Sequence, residues 1–151
     1  MTNNEYFKTQ LKRGQEIEEK AIKLIESKFN VKCIKRQDET NYKTVLYDFK
    51  TDDDITYEVK ADFASVRTNN FFIEYEGYNK LSGITITKAD KHILNSDDKY
   101  YIIKTKKLKQ LIRDNDFKTS YTKYTQTAGF LIPVNIIKNN SEFTLNALND
   151  I

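Results

Sequence analysis

The spacing of apolar residues predicts one long helix at the start of the chain. Apolar side chains recur there at intervals of three and four residues, which places them on one helix face: Ile17, Ala21, Leu24 and Ile25. Thr2 and Glu5 have the spacing of a capping box, in which each side chain accepts a hydrogen bond from the other residue's backbone N–H. The helix is therefore expected over residues 3–29, with a buried stripe on one side.

Alternating apolar and polar residues predict strands in the middle of the chain. A short strand is expected at 31–36, two strands at 43–50 and 55–62 around the acidic turn 52–54, and a fourth at 71–76.

The later part of the chain mixes helical and strand patterns. A short helix is expected over 87–94, a buried strand at 100–103 and a basic helix that opens at Thr105. The segment 129–137 predicts a last strand, at a sheet edge because Pro133 cannot donate a ladder hydrogen bond.

The order of these elements predicts an α/β fold, with a central mixed β-sheet flanked by helices and a long N-terminal helix. The 151 residues fall in the usual range for one domain. Since the chain has 4 Gly and 1 Pro, it offers little room for a flexible linker. We expect a single domain over 1–151.

Composition narrows the environment of the protein. No apolar run approaches the roughly 18–20 residues that cross a bilayer, so no membrane partner is expected. The first ten residues are polar, unlike a secretory signal. Cys33 is the single cysteine, which excludes an intrachain disulfide and a thiolate metal cluster within one chain. These features predict a cytoplasmic protein of a bacterial host or a phage.

The net charge of +3 hides a segregation of charge along the chain. Residues 1–36 carry nine Lys and Arg against five Glu, 37–87 carry five against ten acids, and 88–123 carry ten against five. An acidic middle between basic segments suits a site where carboxylates hold a cation and lysines hold a polyanion. The alternative is that these charges only solvate exposed faces.

The strongest chemical signal lies on the two strands around the acidic turn. Alternation places Glu58 and Lys60 on one face of their strand and Asp48 on the matching face of the strand before it. If residues 52–54 form a three-residue loop, Thr51 pairs with Ile55, and Asp48 lies directly opposite Glu58.

Side chains opposed in this way have Cβ atoms about 4.5–5.5 Å apart, so two carboxylates there would repel each other. A divalent cation removes the conflict, and oxygen ligands without a Cys or His cluster suit Mg²⁺ or Mn²⁺. The ammonium of Lys60 could orient a water or stabilise charge on a phosphate. The alternative is a solvated strand face with ordinary cross-strand charges.

These residues resemble the motif of the PD-(D/E)XK, or restriction-endonuclease-like, nucleases. The match is Tyr47-Asp48-Phe49 followed by Glu58-Val59-Lys60, on consecutive antiparallel strands after a helix. The resemblance implies a restriction-endonuclease-like core in which Asp48, Glu58 and the Val59 backbone carbonyl bind metal and Lys60 assists the attacking water. Tyr47 stands where the motif has proline.

The first helix also resembles that of Holliday-junction resolvases, in which a glycine is followed four residues later by a metal-site glutamate. Gly14 and Glu18 fit this spacing, and Glu18 shares a helix side with the apolar stripe. Glu19 is a rival for this role. A solvated glutamate on an amphipathic helix is the alternative.

A third resemblance, to phage members of the superfamily, runs through 68–74, 82–84 and 87–90. Loop and helix-start positions there are candidates for DNA contact, and Glu74 could share the polar face beside the metal site. The candidates are Arg67, Asn70, Glu74, Thr87, Lys88 and Lys91. Each could equally be a turn, cap or surface residue.

Other residues give weaker signals. His92 is expected to be a packed or surface residue rather than a catalytic one. The basic helix after Thr105 could follow a nucleic-acid backbone or merely be solvated, and Tyr121 and Tyr124 could stack on bases.

The sequence thus predicts a Mg²⁺-dependent DNA endonuclease, phage-type or resolvase-like. A resolvase-like enzyme would favour a homodimer, because two symmetrical cuts need two sites. The alternatives are a non-catalytic nucleic-acid-binding module on the same fold and a protein–protein partner that uses the acidic turn.

Overall fold

The computed structural model describes residues 2–148 and has two sheets with four helices. The helices are α1 (Asn3–Phe29), α2 (Ser65–Thr68), α3 (Thr105–Asp114) and α4 (Val134–Asn140), with a 3₁₀ turn at Gly83–Thr85. The strands are β1 (Cys33–Arg36), β2 (Phe49–Thr51), β3 (Thr56–Ala61), β4 (Asn70–Gly77), β5 (Lys80–Leu81), β6 (Lys91–Ser96), β7 (Lys99–Lys104), β8 (Thr119–Thr122), β9 (Thr127–Pro133) and β10 (Phe143–Asn146).

The larger sheet has the strand order β1-β2-β3-β6-β7-β10, and the smaller has β5-β4-β9-β8. The larger sheet is mixed, since β3 and β6 run parallel while its other neighbouring strands run antiparallel. The predicted α/β class with a mixed central sheet and flanking helices is therefore confirmed.

The N-terminal helix forms as its sequence predicts. The Thr2 hydroxyl accepts a hydrogen bond from the Glu5 N–H at 3.1 Å, and the Glu5 carboxylate accepts one from the Thr2 N–H at 2.9 Å. The helix ends at Asn30, which adopts the left-handed conformation with φ 53°. Its buried stripe packs on one face of the larger sheet, against Phe49, Tyr57, Ile93, Tyr100, Ile102 and Leu145.

A second core fills the opposite face of the larger sheet. Leu94, Tyr101 and Ile103 project from that face and pack against the smaller sheet, α3 and α4. Leu108 and Leu111 supply the contact from α3, and their burial leaves the polar side of this helix facing outward. The larger sheet is thus a middle layer with an apolar core on each side.

The hairpin of β2 and β3 has the predicted register. Phe49 pairs with Tyr57 and Lys50 with Thr56, and the Thr51 N–H donates to the Ile55 carbonyl at 3.0 Å across the three-residue loop. The predicted strand over 43–50 is too long, because β2 begins at Phe49. The amides of residues 44 and 45 donate to the Asn41 carbonyl, so this segment closes a turn instead of joining the ladder.

The helix predicted over 87–94 is wrong. Residues Lys91–Ser96 form the central strand β6, and four consecutive residues of it, 92–95, are buried. A strand covered on both faces has no alternating pattern, and a short apolar run of this kind cannot be told from a helix by periodicity. Asp90, just before this strand, accepts hydrogen bonds from the N–H and hydroxyl of Thr56, each at 3.0 Å.

The last predicted strand is too long and misplaced. It runs over Thr127–Pro133 as β9, between β4 and β8, so it is not an edge strand. Pro133 is the last strand residue, and α4 begins at the next position. The sequence patterns missed α2, α4 and the short strands β5, β8 and β10.

The aromatic pair at the centre of the first core generates a stability prediction. Phe49 is fully buried and stacks on Tyr57 with ring centroids 4.8 Å apart. We expect Phe49→Ala to lower the free energy of unfolding by about 3–5 kcal/mol, through lost burial and the cavity left behind. Chemical denaturation measures the change. Phe7→Ala is the matched control, since Phe7 is 64% exposed, and an equal loss in both variants would contradict the assigned core.

Candidate active site

The candidate site lies along an open edge of β3. β2 pairs with β3 at Phe49–Tyr57 and Lys50–Thr56 and then stops, whereas β6 accompanies β3 as far as Ala61. The chain enters β2 through Asp48, whose N–H donates to the Tyr57 carbonyl at 2.8 Å. From Glu58 onward, the side of β3 that faces away from β6 is therefore available to side chains.

The carboxylate of Asp48 occupies the first position along this edge. Its Oδ2 accepts a hydrogen bond from the Val59 N–H at 2.6 Å. Burial raises the pKa of Asp48, although the Val59 N–H, Lys60 and Arg36 all favour its ionised form. The carbonyl of Val59 shares this strand edge, because the N–H and C=O of one strand residue point to the same neighbour.

Glu58 and Lys60 lie side by side on one face of β3, as alternation predicts. The Lys60 ammonium is 3.6 Å from a Glu58 carboxylate oxygen, and the two side chains are 39% and 17% exposed. Burial, followed by the negative charge of Asp48, raises the pKa of Glu58 to about 7 despite the attraction of Lys60. An acidic side chain near neutral pKa is thus placed next to a second carboxyl and an ammonium.

Glu18 reaches the same region from α1. Its carboxylate is 3.1 Å from the Arg36 guanidinium, and its side chain is 24% exposed. Burial and then the charge of Asp48 raise the pKa of Glu18. Glu19, the rival candidate, also binds Arg36 but is 53% exposed and does not line the cavity described below. The structure therefore brings Glu18 to the site and leaves Glu19 at its rim.

The three carboxyl groups form an electrostatic cluster centred on Asp48, whose charge acts on both Glu18 and Glu58. Hard oxygen donors of this kind are suited to Mg²⁺ or Mn²⁺. Within residues 2–148, no three His, Cys, Asp or Glu side chains already converge at the spacing of metal ligands. Each carboxylate instead has a protein partner: Arg36 for Glu18, the Val59 N–H for Asp48 and Lys60 for Glu58. The donor chemistry fits a divalent ion, and the carboxylates would have to move toward one another to share it.

A cavity of about 660 Å³ opens over Glu18, Asp48 and Lys60, whereas Glu58 is not one of its lining residues. Polar residues of its lining include Glu18, Asp48, Lys60, Asp62 and Glu74. Aromatic and apolar residues of α1 and of the segment after β3 form the rest, among them Tyr6, Phe7, Leu11, Phe63 and Phe72. The cavity therefore joins a charged end to an apolar one.

Glu74 is the one predicted DNA-contact residue that lines this cavity. Its carboxylate accepts a hydrogen bond from the Ser82 hydroxyl at 2.7 Å. Gly83 adopts φ +54° and lies so close to β4 that a Cβ would meet the Glu74 carbonyl oxygen at 2.2 Å. The Ser82-Gly83 turn therefore holds Glu74 in place.

The other predicted DNA contacts lie outside the cavity lining. Arg67 is on α2, and Asn70 begins β4 and donates to the Thr68 carbonyl at 3.2 Å. Lys91 forms an ion pair with Glu142 at 3.2 Å.

The helix start expected at Thr87, as a position for DNA contact, is absent. The amides of Thr87 and Lys88 are already hydrogen bonded: Thr87 donates to the Gly83 carbonyl at 3.0 Å and Lys88 to the Leu46 carbonyl at 2.8 Å.

Arg36 and Asp62 are site residues that the sequence patterns did not select. Arg36 ends β1, beside β2, and its position follows only from the β1–β2 pairing. Asp62 accepts hydrogen bonds from the Phe72 N–H at 2.8 Å and the Ser65 N–H at 3.1 Å, so it ties β3 to β4 and α2. The sequence does indicate Asp62, because strand alternation places it on the same face as Glu58 and Lys60.

Of the two non-catalytic positions expected for His92, packed or at the surface, the structure shows the packed one, since His92 is buried. It is paired with Glu58 in the parallel β3–β6 ladder, and its Nδ1 is 2.8 Å from the Thr105 hydroxyl. Burial, with Lys60 and Lys109 nearby, lowers the pKa of His92 to about 3, so the ring is neutral at physiological pH.

Comparison with known proteins adds no relative. No protein-family model matches the chain, and no curated protein sequence matches it. Among residues 2–148, no helix has the length and apolar character needed to cross a membrane.

Because the pKa of Glu58 is raised, ionisation of this side chain lowers the stability of the folded protein, and the stability therefore depends on pH. The folded pKa of about 7 exceeds the ordinary glutamate pKa of 4.5, so without a divalent ion the free energy of unfolding falls as pH rises between these two values. We expect Glu58→Gln to raise the free energy of unfolding at about pH 8, on the order of 2 kcal/mol, and to lose this advantage near pH 5. Chemical denaturation of both proteins at the two pH values, with a chelator present, measures the difference in the free energy of unfolding.

Glu16→Gln is the control for this prediction. Glu16 lies on the exposed side of α1, so its replacement should leave the pH profile unchanged. A Glu58→Gln variant that is less stable than the wild type at high pH would contradict the assigned environment of Glu58.

Proposed function

We propose that this protein is a Mg²⁺-dependent DNA endonuclease with a restriction-endonuclease-like core. The observation that carries the proposal is the convergence of Asp48, Glu58 and Lys60 on the open edge of β3, with Glu18 facing them from α1. Two carboxylates and a lysine on paired antiparallel strands, after a helix that adds a glutamate, are what the resemblance to this superfamily implies.

The surroundings of the site support the same function. The cavity is large enough to admit part of a nucleotide, and it joins acidic groups to the apolar side chains of Tyr6, Phe7 and Leu11. Acidic groups beside a polyanion repel it unless a cation lies between them, so the cluster is better explained by a metal-dependent reaction than by binding alone.

Each side chain has a defined task in this mechanism. Asp48, Glu58 and the Val59 carbonyl would hold the ion, and Glu18 would complete the oxygen set. Bound Mg²⁺ would supply charge neutralisation at the phosphate and a lowered pKa for the attacking water. Lys60 would donate a hydrogen bond to that water or to a phosphate oxygen. Arg36 positions Glu18, since it holds that carboxylate at 3.1 Å.

The second candidate is a non-catalytic nucleic-acid-binding module. The observation in its favour is that every carboxylate of the cluster already has a protein partner, so Lys60 and Arg36 could serve as permanent counter-charges. This reading requires no divalent ion.

Cleavage assays test the nuclease directly. Supercoiled, linear, single-stranded and four-way-junction DNA would be incubated with Mg²⁺, and we expect cleavage of at least one. Lys60→Ala should lower the rate by roughly 10²-fold or more, because it removes a group placed to stabilise developing charge.

Lys50→Ala is the matched control for this assay. Lys50 lies on the adjacent strand, where it pairs with Asp54 at 2.7 Å, so its loss should leave cleavage unchanged. Absence of cleavage on every substrate, or equal cleavage by the Lys60→Ala variant, would overturn the proposal.

Calorimetry with Mg²⁺ or Mn²⁺ separates the two candidates. We expect the wild type to bind the ion and Asp48→Asn to lose most of that affinity, since Asp48 is the centre of the carboxyl cluster. Asp116→Asn, at an exposed position outside the site, should bind as the wild type does. Failure of the wild type to bind either ion would favour the non-catalytic module.

A further inference from the structure

A second charged surface lies on α3, away from the carboxyl cluster. Lys109 and Gln110 lie three and four residues after Lys106, and Arg113 lies four and three residues after them, so all four share one side of the helix. Leu108 and Leu111 face the opposite way into the core. The apolar side of α3 is therefore buried, and the side of the helix that faces outward is basic.

Three charged residues of this surface have no acidic partner within the described part of the chain. Among the described residues, no ion pair involves Lys106, Lys109 or Arg113, and Lys104 approaches Glu142 at a distance of 3.9 Å. Like charges three and four residues apart on a helix destabilise it. A concave surface of about 500 Å³ gathers these side chains: Lys104, Lys106, Lys107, Lys109, Gln110 and Arg113. A polyanion would neutralise them together.

An apolar groove adjoins the basic surface. It has a volume of about 400 Å³, and Lys109 and Arg113 line both it and the basic surface. Tyr75 and Phe130 lie in the groove with ring centroids 4.8 Å apart and a tilt of 42°. Aromatic rings beside cations accept unpaired bases, whereas the bases of an intact duplex are stacked inside it and cannot reach such a groove.

We propose that this surface binds a single-stranded segment of nucleic acid, with phosphates on Lys106, Lys109 and Arg113 and a base against Tyr75 and Phe130. An anionic membrane is the weaker match, because α3 has buried the apolar face that would enter the bilayer. The inference that this single strand is part of the enzyme's substrate rests on the proposed nuclease function. The binding itself can be measured without cleavage.

The position of α3 relates this surface to the active site. The Thr105 hydroxyl at the start of α3 is 2.8 Å from His92, and His92 is the β6 neighbour of Glu58. Tyr75 also follows Glu74, which lines the catalytic cavity from the other face of β4. The two surfaces are thus fixed to the same strands.

Fluorescence anisotropy in a chelating buffer tests the surface. The probes are an oligothymidylate of about 30 nucleotides and a duplex of equal length. The first variant combines Lys106→Gln, Lys109→Gln and Arg113→Gln. The control combines Lys23→Gln, Lys32→Gln and Lys35→Gln, at exposed positions on α1 and near β1.

We expect the α3 variant to bind the oligothymidylate at least tenfold more weakly than the control. Its salt slope should fall by about 2, because each lost phosphate contact on a single strand removes about 0.7. Tyr75→Leu should weaken binding severalfold and leave the salt slope unchanged, since it removes a stacking surface and no charge. Circular dichroism and thermal melting confirm that each variant is folded.

Three results would overturn the assignment: equal binding by the α3 variant and the control, tighter binding of the duplex than of the single strand, or binding of phosphatidylserine vesicles without binding of the oligothymidylate. If the wild type cleaves none of the DNA substrates but binds the oligothymidylate through α3, the proposed nuclease function is contradicted and the proposed binding surface is supported.

Discussion

The hydrogen bond from the Val59 N–H to the Asp48 carboxylate organises the site. An N–H at a strand edge needs an acceptor, and where β2 stops, the carboxylate supplies one at 2.6 Å. This contact fixes Asp48 over β3 and brings its charge within range of Glu58 and Glu18. The short length of β2 therefore creates the candidate site, because a longer β2 would fill the edge with backbone and leave no room for acidic side chains.

The same arrangement brings three carboxyl groups together, and the neighbouring cations offset their mutual repulsion only in part. Burial disfavours the ionised forms of Asp48, Glu58 and Glu18, and their charges oppose one another. Lys60 and Arg36 offset this, but the pKa of Glu58 still rises to about 7. A structure without further use for the cluster would be more stable with neutral residues there. Carboxyl groups with raised pKa values beside a cavity are characteristic of reactive sites, which is the physical reason to look for a reaction here.

Local patterns predicted the parts of the fold in which one strand or helix face is exposed. The capping box of Thr2 and Glu5 and the register that pairs Phe49 with Tyr57 follow from sequence spacing and loop length. Periodicity failed for β6, since burial on both faces removes the alternation that marks a strand. It also could not place Arg36, because the contact of that residue with Glu18 depends on the pairing of β1 with β2.

The layered architecture explains how one small chain carries two surfaces of opposite charge. The first core, beneath α1, positions Glu18 near the open edge of β3, while the second core holds α3 by Leu108 and Leu111. Glu58 and Lys60 lie on the sheet face of this second core, because Leu94, the β6 partner of Lys60, projects into it. The basic side chains of α3 point away from that core, because the apolar side of the helix is buried in it. The carboxyl groups at the open edge of β3 therefore remain available to a cation, and the outward basic side of α3 remains available to a polyanion.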